Sequence, residues 1–154
     1  MTLMRSLALA LVLCAALALP RFAHAADPCQ LEITANDQMQ YDKQSLSVPA
    51  SCTQVILTLH HAGKLPREAM GHNWVLVSGA DYNAVANASM SAGLANEYVQ
   101  PGDKRVIAHT KVVGGGQTTS VTFPTSGLKA AGDYRYLCTF PGHNALMHGT
   151  FKFG

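Results

Sequence analysis

Short apolar runs separated by turn residues constrain this sequence more than any other feature. The runs are rich in β-branched and aromatic side chains, and several alternate apolar with polar positions, which indicates strands. They lie at residues 31–35, 55–59, 74–77, 106–108, 112–113, 120–123, 134–138 and 150–153, with Pro-Gly, Gly-Asp and Gly-Gly sequences between them. The Ala-rich residues 80–94 are the one stretch that favours a helix of any length. The pattern predicts an all-β sandwich or barrel of about eight strands with one short helical insertion.

The charge balance excludes several classes of binding protein. The chain has 154 residues, 48% hydrophobic and 13% charged, which suits one folded domain rather than a disordered chain. Two of its 11 Lys and Arg residues, Arg5 and Arg21, lie in the first 25 residues, which leaves nine against 9 Asp and Glu. Without a basic patch, an electrostatic nucleic-acid binder and a polybasic membrane-surface protein are both excluded.

Residues 1–25 have the pattern of a secretory signal peptide. Arg5 supplies the positive start, residues 7–19 form an uninterrupted apolar run, and Ala23-His24-Ala25 is a small-x-small cleavage site. The apolar run is too short to span a bilayer, which argues against the alternative of an uncleaved membrane anchor. We therefore expect export from the cytoplasm, cleavage near Ala26, a single mature domain over residues 26–154, and no membrane insertion afterwards.

Export gives the cysteine count a meaning. Three cysteines remain after cleavage, Cys29, Cys52 and Cys138, and in an oxidising compartment two of three usually pair. Cys29 and Cys52 flank a pair of predicted strands and are the natural partners. The remaining Cys138 is then a free core cysteine, a partner in an intermolecular disulfide, a nucleophile or a metal ligand.

The residues that follow Cys138 favour the metal ligand. His143 comes five residues later and Met147 four beyond that, with a Pro-Gly turn between, so one compact loop can bring thiolate, imidazole and thioether together. His72 begins another buried strand and offers a second imidazole. A cysteine, two histidines and a weak thioether form the ligand set of a trigonal copper site with a long axial bond.

Each of these residues also has an ordinary explanation when taken alone. A single Met is usually core filler, and a single Cys at a strand end is usually a small buried hydrophobe. It is the combination that points to a metal. Zinc is the chemical rival, but it prefers four firm ligands and gains nothing from a thioether.

These segments together resemble the azurins, small periplasmic blue-copper proteins of the cupredoxin class. The matching segments are residues 36–40 (Asn-Asp-Gln-Met-Gln), 70–74 (Met-Gly-His-Asn-Trp), 105–110 (Arg-Val-Ile-Ala-His-Thr), 138–143 (Cys-Thr-Phe-Pro-Gly-His) and 145–147 (Ala-Leu-Met). The resemblance covers essentially all of the mature chain. It implies a Greek-key, cupredoxin-like β-sandwich and a periplasmic location.

The resemblance also implies a role for individual residues. The copper ligands are His72, Cys138 and His143 in a plane, with Met147 and the Gly71 carbonyl on the axis. It further implies a Cys29–Cys52 disulfide, and hydrogen bonds to the Cys138 sulfur from the backbone N–H groups of Asn73 and Phe140. An apolar docking patch surrounds His143, and its members are Met39, Leu65, Met70, Met90, Phe140, Pro141, Gly142, Ala145 and Leu146. The implied partners are redox proteins such as a c-type cytochrome and a periplasmic reductase.

The chemistry of such a site favours electron transfer over catalysis. Three planar ligands with two axial atoms leave no open position for a substrate, so we expect a one-electron carrier and not an enzyme. A multicopper oxidase or nitrite reductase needs further histidine ligands, and the adjacent His60 and His61 would point to opposite faces of a strand. Two alternatives remain: a copper storage or delivery protein, and a secreted β-sandwich that binds no metal.

Overall fold

The computed structural model describes residues 27–154. The predicted signal peptide, residues 1–25, lies outside the described residues. Within the described part, no helix is both long enough and apolar enough to cross a membrane.

The described residues form nine strands and two short α-helices. The strands are β1 (Gln30–Asn36), β2 (Gln40–Tyr41), β3 (Ser45–Val48), β4 (Gln54–His61), β5 (Val75–Ser78), β6 (Val106–His109), β7 (Thr118–Pro124), β8 (Tyr134–Leu137) and β9 (His148–Phe153). The helices are α1 (Arg67–Met70) and α2 (Tyr82–Ala92), and single 3-10 turns cover Gly79–Asp81, Leu94–Asn96 and His143–Ala145.

The strands form two mixed sheets. One has the order β2-β1-β4-β7, and the other has the order β3-β9-β8-β5-β6. The pairs β1–β4 and β3–β9 are parallel, and all other pairs are antiparallel. Parallel neighbours require crossover connections, which here run between the two sheets. The two sheets, with α2 as the helical insertion, confirm the prediction of an all-β, cupredoxin-like sandwich.

The core forms where the inward faces of the two sheets meet. Strand β4 shows the period of two, because Val55, Leu57 and Leu59 are fully buried while the positions between them are only partly buried. Trp74 is also fully buried, and its ring lies among aromatic neighbours with centroid distances of 6.0 Å to Phe123 and 5.9 Å to Tyr136. Burial of such side chains stabilises the fold by roughly 1.5–3 kcal/mol each.

The structure differs from the sequence pattern at residues 112–113, at strands β2 and β3, and at helix α1, of which the two-residue β2 was too short to be expected. Residues 112–113 do not form a strand; Val113 makes an isolated antiparallel bridge with His72. Strand β3 was not expected, because only Leu46 and Val48 are apolar in it, and its partner β9 lies about a hundred residues away in sequence, at Ser45↔Thr150. Helix α1 is a single turn, too short to leave a periodic pattern.

The Cys29–Cys52 disulfide closes one end of the sandwich. The two Cα atoms are 5.6 Å apart, and the bond joins the start of β1 to the loop that precedes β4. Since β1 and β4 run parallel, their far ends lie together at the other end of the sandwich, where β4 finishes at His61. The third cysteine, Cys138, is free and buried.

Candidate metal centre

Three separate segments bring His72, Cys138 and His143 together. His72 precedes β5 and is held by two backbone hydrogen bonds to Val113, of 3.0 and 2.9 Å. Cys138 directly follows β8, which pairs antiparallel with β5, so the cysteine and His72 meet at the same end of the five-stranded sheet. His143 lies in the 3-10 turn His143–Ala145 of the loop after β8.

The three donor atoms form a compact triangle. Cys138 Sγ lies 3.9 Å from His72 Nδ1 and 3.7 Å from His143 Nδ1, and the two nitrogens are 3.2 Å apart. The point equidistant from three atoms with separations of 3.9, 3.7 and 3.2 Å lies inside the triangle at about 2.1 Å from each, within the range of about 2.0–2.3 Å for metal bonds to His nitrogen and Cys sulfur. The arrangement therefore fits one metal ion in a trigonal plane.

The loop from Cys138 to Met147 is closed by its own backbone. Cys138 N–H donates to the Met147 carbonyl at 2.9 Å, and Met147 N–H donates to the His143 carbonyl at 2.8 Å. His143 N–H in turn donates to the Phe140 carbonyl at 3.0 Å. Gly142 permits this turn because its φ is +81°, in the left-handed region. Met147 is fully buried within the closed loop.

Gly71 lies at a position where a side chain would not fit. A Cβ atom there would come within 2.4 Å of the Arg67 carbonyl oxygen and 2.5 Å of Val112 Cγ1. The backbone next to His72 therefore packs closely against its neighbours, which a larger residue would prevent.

The His72 ring is fixed by a hydrogen bond on its far side. Its Nε2 lies 2.9 Å from the Asn36 carbonyl oxygen, which can only accept, so Nε2 carries the proton and Nδ1 presents its lone pair to the other donors. His61 packs edge-on against the same ring at a centroid distance of 4.4 Å. This fixes both the tautomer and the orientation of His72 before any metal binds.

Both histidines are held in the neutral form that a metal requires. Burial lowers the pKa of His72 to about 4, and burial also lowers the pKa of His143 to about 4. Their ring centroids are 5.0 Å apart, so two positive charges there would also repel each other. A neutral imidazole needs no deprotonation before it binds a metal.

His143 differs from His72 in its contact with the surface. It is 4% exposed, whereas His72 is 0% exposed. Its Nε2 forms no hydrogen bond within residues 27–154, yet the one buried, unpaired side-chain nitrogen or oxygen in that part of the chain is Trp74 Nε1. The Nε2 edge of His143 therefore reaches solvent.

The Cys138 thiol is fully buried, and its surroundings favour a metal over a free thiolate. Burial raises the pKa of Cys138 to about 11, although N–H groups of Asn73 and Phe140 donate to the sulfur and oppose this rise. A bound cation supplies the positive charge that would stabilise the thiolate there. This burial also argues against the nucleophilic role, because no substrate can reach the sulfur.

Asn73 connects the two segments that carry His72 and Cys138. Its side-chain Nδ2 donates to Thr139 Oγ1 at 2.7 Å, and its side-chain Oδ1 accepts from Thr139 N–H at 2.9 Å. Asn73 is itself fully buried, so these bonds are made without competition from water. The residue therefore holds the strand start beside the ligand loop.

The residues of the expected docking patch differ widely in exposure. Met90 is 62% exposed, Leu146 is 63% exposed and Leu65 is 42% exposed, which is unusual for side chains so apolar. Pro141, Gly142 and Ala145 are exposed, Met39 and Met70 are partly buried, and Phe140 is 9% exposed. Phe140 stacks near His143, with ring centroids 4.5 Å apart, so it belongs to the ring's support more than to the surface.

Some residues that support the site were missed from sequence alone. Tyr41 donates from its hydroxyl to the Asn73 carbonyl, and Thr110 Oγ1 accepts from Trp74 N–H at 2.9 Å. Of the other histidines in the described residues, His61 packs against the His72 ring without supplying a donor atom, His60 contacts Thr118 on the outer face of β4, and His109 and His148 are exposed. No sequence signal marks a tyrosine or threonine whose partner lies more than thirty positions away.

The donor set fits copper better than zinc. Within residues 27–154, His72, Cys138 and His143 are the one group of three or more His, Cys, Asp or Glu residues whose ligand atoms come close enough to share an ion. A structural zinc site takes a fourth ligand of this kind, which the group lacks. One thiolate and two imidazoles in a plane are the strong ligands of a blue-copper site.

Comparisons with known proteins agree with this chemistry. Residues 27–154 match the model of the copper binding proteins of the plastocyanin/azurin family. The chain is 53% identical to azurin from Bordetella pertussis over 124 residues, 80% of this chain and 83% of that protein. It is 49% identical to azurin from Pseudomonas aeruginosa over 122 residues, 79% and 82% of the two chains.

A solved structure shows the same architecture. It is the azurin Az-iso2 from the obligate methylotroph Methylomonas sp. strain J, with a TM-score of 0.79 and 46% sequence identity over 82% of this chain and 98% of that one. Fold, donor triangle and relatives therefore lead to one conclusion. This chain belongs to the plastocyanin/azurin family of copper-binding proteins, and copper is its cofactor.

Proposed function

We propose that this copper electron carrier works in the periplasm, where it moves single electrons between redox proteins. The observation that carries the proposal is the closed triangle of His72, Cys138 and His143, in which the thiolate is fully buried and one imidazole edge reaches solvent. A site of this kind can exchange an electron with a partner at its surface but cannot admit a substrate to its centre. We therefore do not assign an enzymatic activity.

The ligand assignment follows from the donor geometry and the family. His72 Nδ1, Cys138 Sγ and His143 Nδ1 would hold the ion. Met147 and the Gly71 carbonyl would supply the two further, weaker ligands, supported by the burial of both residues and by the Met147 backbone bonds to Cys138 and His143. Bound copper supplies the one-electron couple between Cu(II) and Cu(I).

The contribution of the chain is to keep the donors in place in both oxidation states. The Asn36 carbonyl fixes His72, the closed loop fixes His143, and Asn73 ties Thr139 to the strand start. The N–H groups of Asn73 and Phe140 stabilise negative charge on the Cys138 sulfur and so tune the reduction potential. Donors that do not move keep the reorganisation on electron transfer small.

The exposed apolar patch around His143 is assigned to partner docking. Met90, Leu146 and Leu65 expose apolar surface, and flexible Met side chains adapt to more than one partner. The balanced charge after residue 25 makes long-range steering modest, so contacts should be brief and weak. Electrons enter and leave through the exposed edge of His143, and the partners are redox proteins such as a c-type cytochrome and a periplasmic reductase.

The periplasmic location depends on residues 1–25. Their pattern of Arg5, an apolar run over residues 7–19 and Ala23-His24-Ala25 supports export and cleavage near Ala26. The Cys29–Cys52 disulfide is consistent with an oxidising compartment. The mass of the protein recovered from a periplasmic fraction tests this directly, since it should lack about 25 residues.

The main experiment separates an electron carrier from a copper storage or delivery protein. The copper-loaded protein should be intensely blue when oxidised and colourless when reduced, because a short Cu(II)–thiolate bond gives strong charge-transfer absorption. Electron self-exchange between the two forms is then measured alongside copper loss to a competing chelator. Fast self-exchange with slow copper loss supports the carrier, and sluggish self-exchange with rapid copper loss would favour delivery.

A further inference from the structure

An ion pair outside the ligands contacts two segments that support His72, at Val112 and at Asn73. Arg67, the first residue of helix α1, lies four residues before Gly71, and its Nη2 is 2.7 Å from Glu97 Oε2. The two side chains are 33% and 22% exposed, so the pair is only partly screened by water. Neither residue is a copper ligand or a member of the docking patch.

Arg67 joins helix α1 to the backbone that pairs with His72. Its Nε donates to the Val112 carbonyl at 2.9 Å, and the next residue, Val113, makes both backbone hydrogen bonds of the bridge with His72. The Arg67 backbone also packs tightly against Gly114, since a Cβ atom on Gly114 would come within 2.6 Å of Arg67 N. Arg67 therefore spans the two segments that enclose the His72 backbone.

Glu97 completes the connection from the other side. The same Oε2 that accepts from Arg67 also accepts from Val112 N–H, so Arg67, Glu97 and Val112 form a closed ring of hydrogen bonds. The backbone carbonyl of Glu97 accepts from the Asn73 side-chain amide at 2.7 Å. Glu97 holds this position with a φ of +58°, a conformation that costs free energy for a residue with a side chain.

One carboxylate residue thus reaches both supports of the metal centre. Through Val112 it contacts the bridge that holds His72, and through its carbonyl it contacts Asn73, which holds Thr139 beside Cys138. The charge-assisted bonds of the ring are stronger than neutral ones and fix its geometry. An arrangement with a strained backbone and a paired charge at this place implies a task beyond surface solvation.

We propose that Arg67 and Glu97 are positioning residues, which brace the His72 and Asn73 segments and thereby slow the release of copper. The inference rests on the proposed copper site, and it adds a role for two residues that hold no metal. The brace acts by limiting local opening of the bridge between His72 and Val113. Removing the ion pair should make the bridge between His72 and Val113 open more often, while the copper ligands themselves stay in place.

Copper release to a chelator is the first measurement. Glu97→Gln and Arg67→Ala should each release copper about tenfold faster than the wild type, the lower end of the effect of residues that support metal ligands. Arg67→Lys should not restore the slow rate, since an ammonium cannot replace the fork that reaches Val112 and Glu97 together. The double variant should be no worse than the poorer single variant, because both remove one shared interaction.

A matched ion pair elsewhere provides the control. Arg105 Nη2 lies 2.6 Å from Asp103 Oδ2, and this pair has no hydrogen bond to a ligand segment. Asp103→Asn should leave the release rate at the wild-type value. If it accelerates release as much as Glu97→Gln does, the effect is one of general stability and the brace is refuted.

Hydrogen exchange of the copper-free protein tests the brace without copper. The backbone amides of His72 and Val113 should exchange about tenfold faster in Glu97→Gln, while those of β1 and β4 stay unchanged. Wild-type protection at these amides in both Glu97→Gln and Arg67→Ala would overturn the inference. If the wild type takes up copper without turning blue, the proposed function fails, yet the exchange measurement still decides the brace.

Discussion

The two ends of the sandwich are closed by different chemistry although each uses cysteine. At one end Cys29 and Cys52 form a covalent bond, which joins β1 to the loop before β4. At the other end Cys138 stays single, and hydrogen bonds and metal donors hold the chain together. The disulfide stabilises its end covalently, whereas the other end is held by hydrogen bonds and offers its donors to copper.

The difference shows how a chain that forms one disulfide keeps another thiol free. Cys138 is fully buried, and burial raises its pKa to about 11, so it offers little thiolate for exchange when copper is absent. Cys29 is only partly buried and has its partner at hand. Position in the fold, and not the residue type, decides which cysteine forms a disulfide and which becomes a metal ligand.

The largest expected effect comes from Cys138→Ser, which should abolish the blue absorption entirely. A hydroxyl oxygen cannot supply sulfur-to-copper charge transfer, and it is a poor ligand beside two imidazoles. The absorption spectrum after copper loading measures the change. Hydrogen-exchange protection near Cys52 should be unaffected; a loss of protection there would show that the two ends are not independent.

Acid should have the next largest effect, because it acts on both histidines. In the folded, copper-free protein the pKa of His72 and that of His143 are lowered to about 4, while an exposed histidine titrates near about 6.5. The unfolded chain therefore takes up protons first as the pH falls. The stability contribution is complete above about pH 6.5 and is lost progressively towards pH 4.

Urea unfolding of the copper-free protein at several pH values measures this loss. His143→Gln should flatten the pH dependence in this window, because one of the two titrating groups is gone. A wild-type stability that stays constant between about pH 6.5 and pH 4 would contradict the proposed neutral state of the two rings.

Removal of the disulfide should have a smaller effect and should spare the copper. Cys29 and Cys52 are 23 positions apart, so replacing both by Ala should lower the free energy of unfolding by roughly 3 kcal/mol in the chain-entropy model. Chemical denaturation of the copper-loaded variant measures the loss. Its blue absorption should match the wild type, since the bond lies at the end away from the ligands; a shifted band would mean that the two ends are coupled.

The smallest effect is expected from a single charge placed on the docking patch. Leu146→Lys should slow electron transfer to a partner protein by about tenfold, since a lysine in an apolar contact loses its hydration without gaining a partner. Ser51→Lys adds the same charge at the disulfide end and serves as the control. Equal electron-transfer rates for the two variants at moderate salt would show that the electron does not leave through the patch. Both variants should keep the blue band, because neither residue is a copper ligand.

The sequence alone was sufficient for the features that depend on local pattern. Alternating or continuous apolar runs predicted β1, β4, β5, β6, β7, β8 and β9, and turn dipeptides separated them, because strand period and turn preference are properties of neighbouring residues. The close spacing of Cys138, His143 and Met147 pointed to copper for the same reason. His72 was found because Met70-Gly71-His72-Asn73-Trp74 is a recognisable segment.

Only the tertiary structure decided which distant segments meet. The parallel pairing of β3 with β9, the bridge between His72 and Val113, and the ring of Arg67, Glu97 and Val112 all join residues far apart in the chain. Any polar side chain can pair with any other of suitable charge, so such partners carry no periodic signal. The metal ligands can therefore be predicted from the sequence, whereas the residues that hold those ligands are identified only from the folded structure.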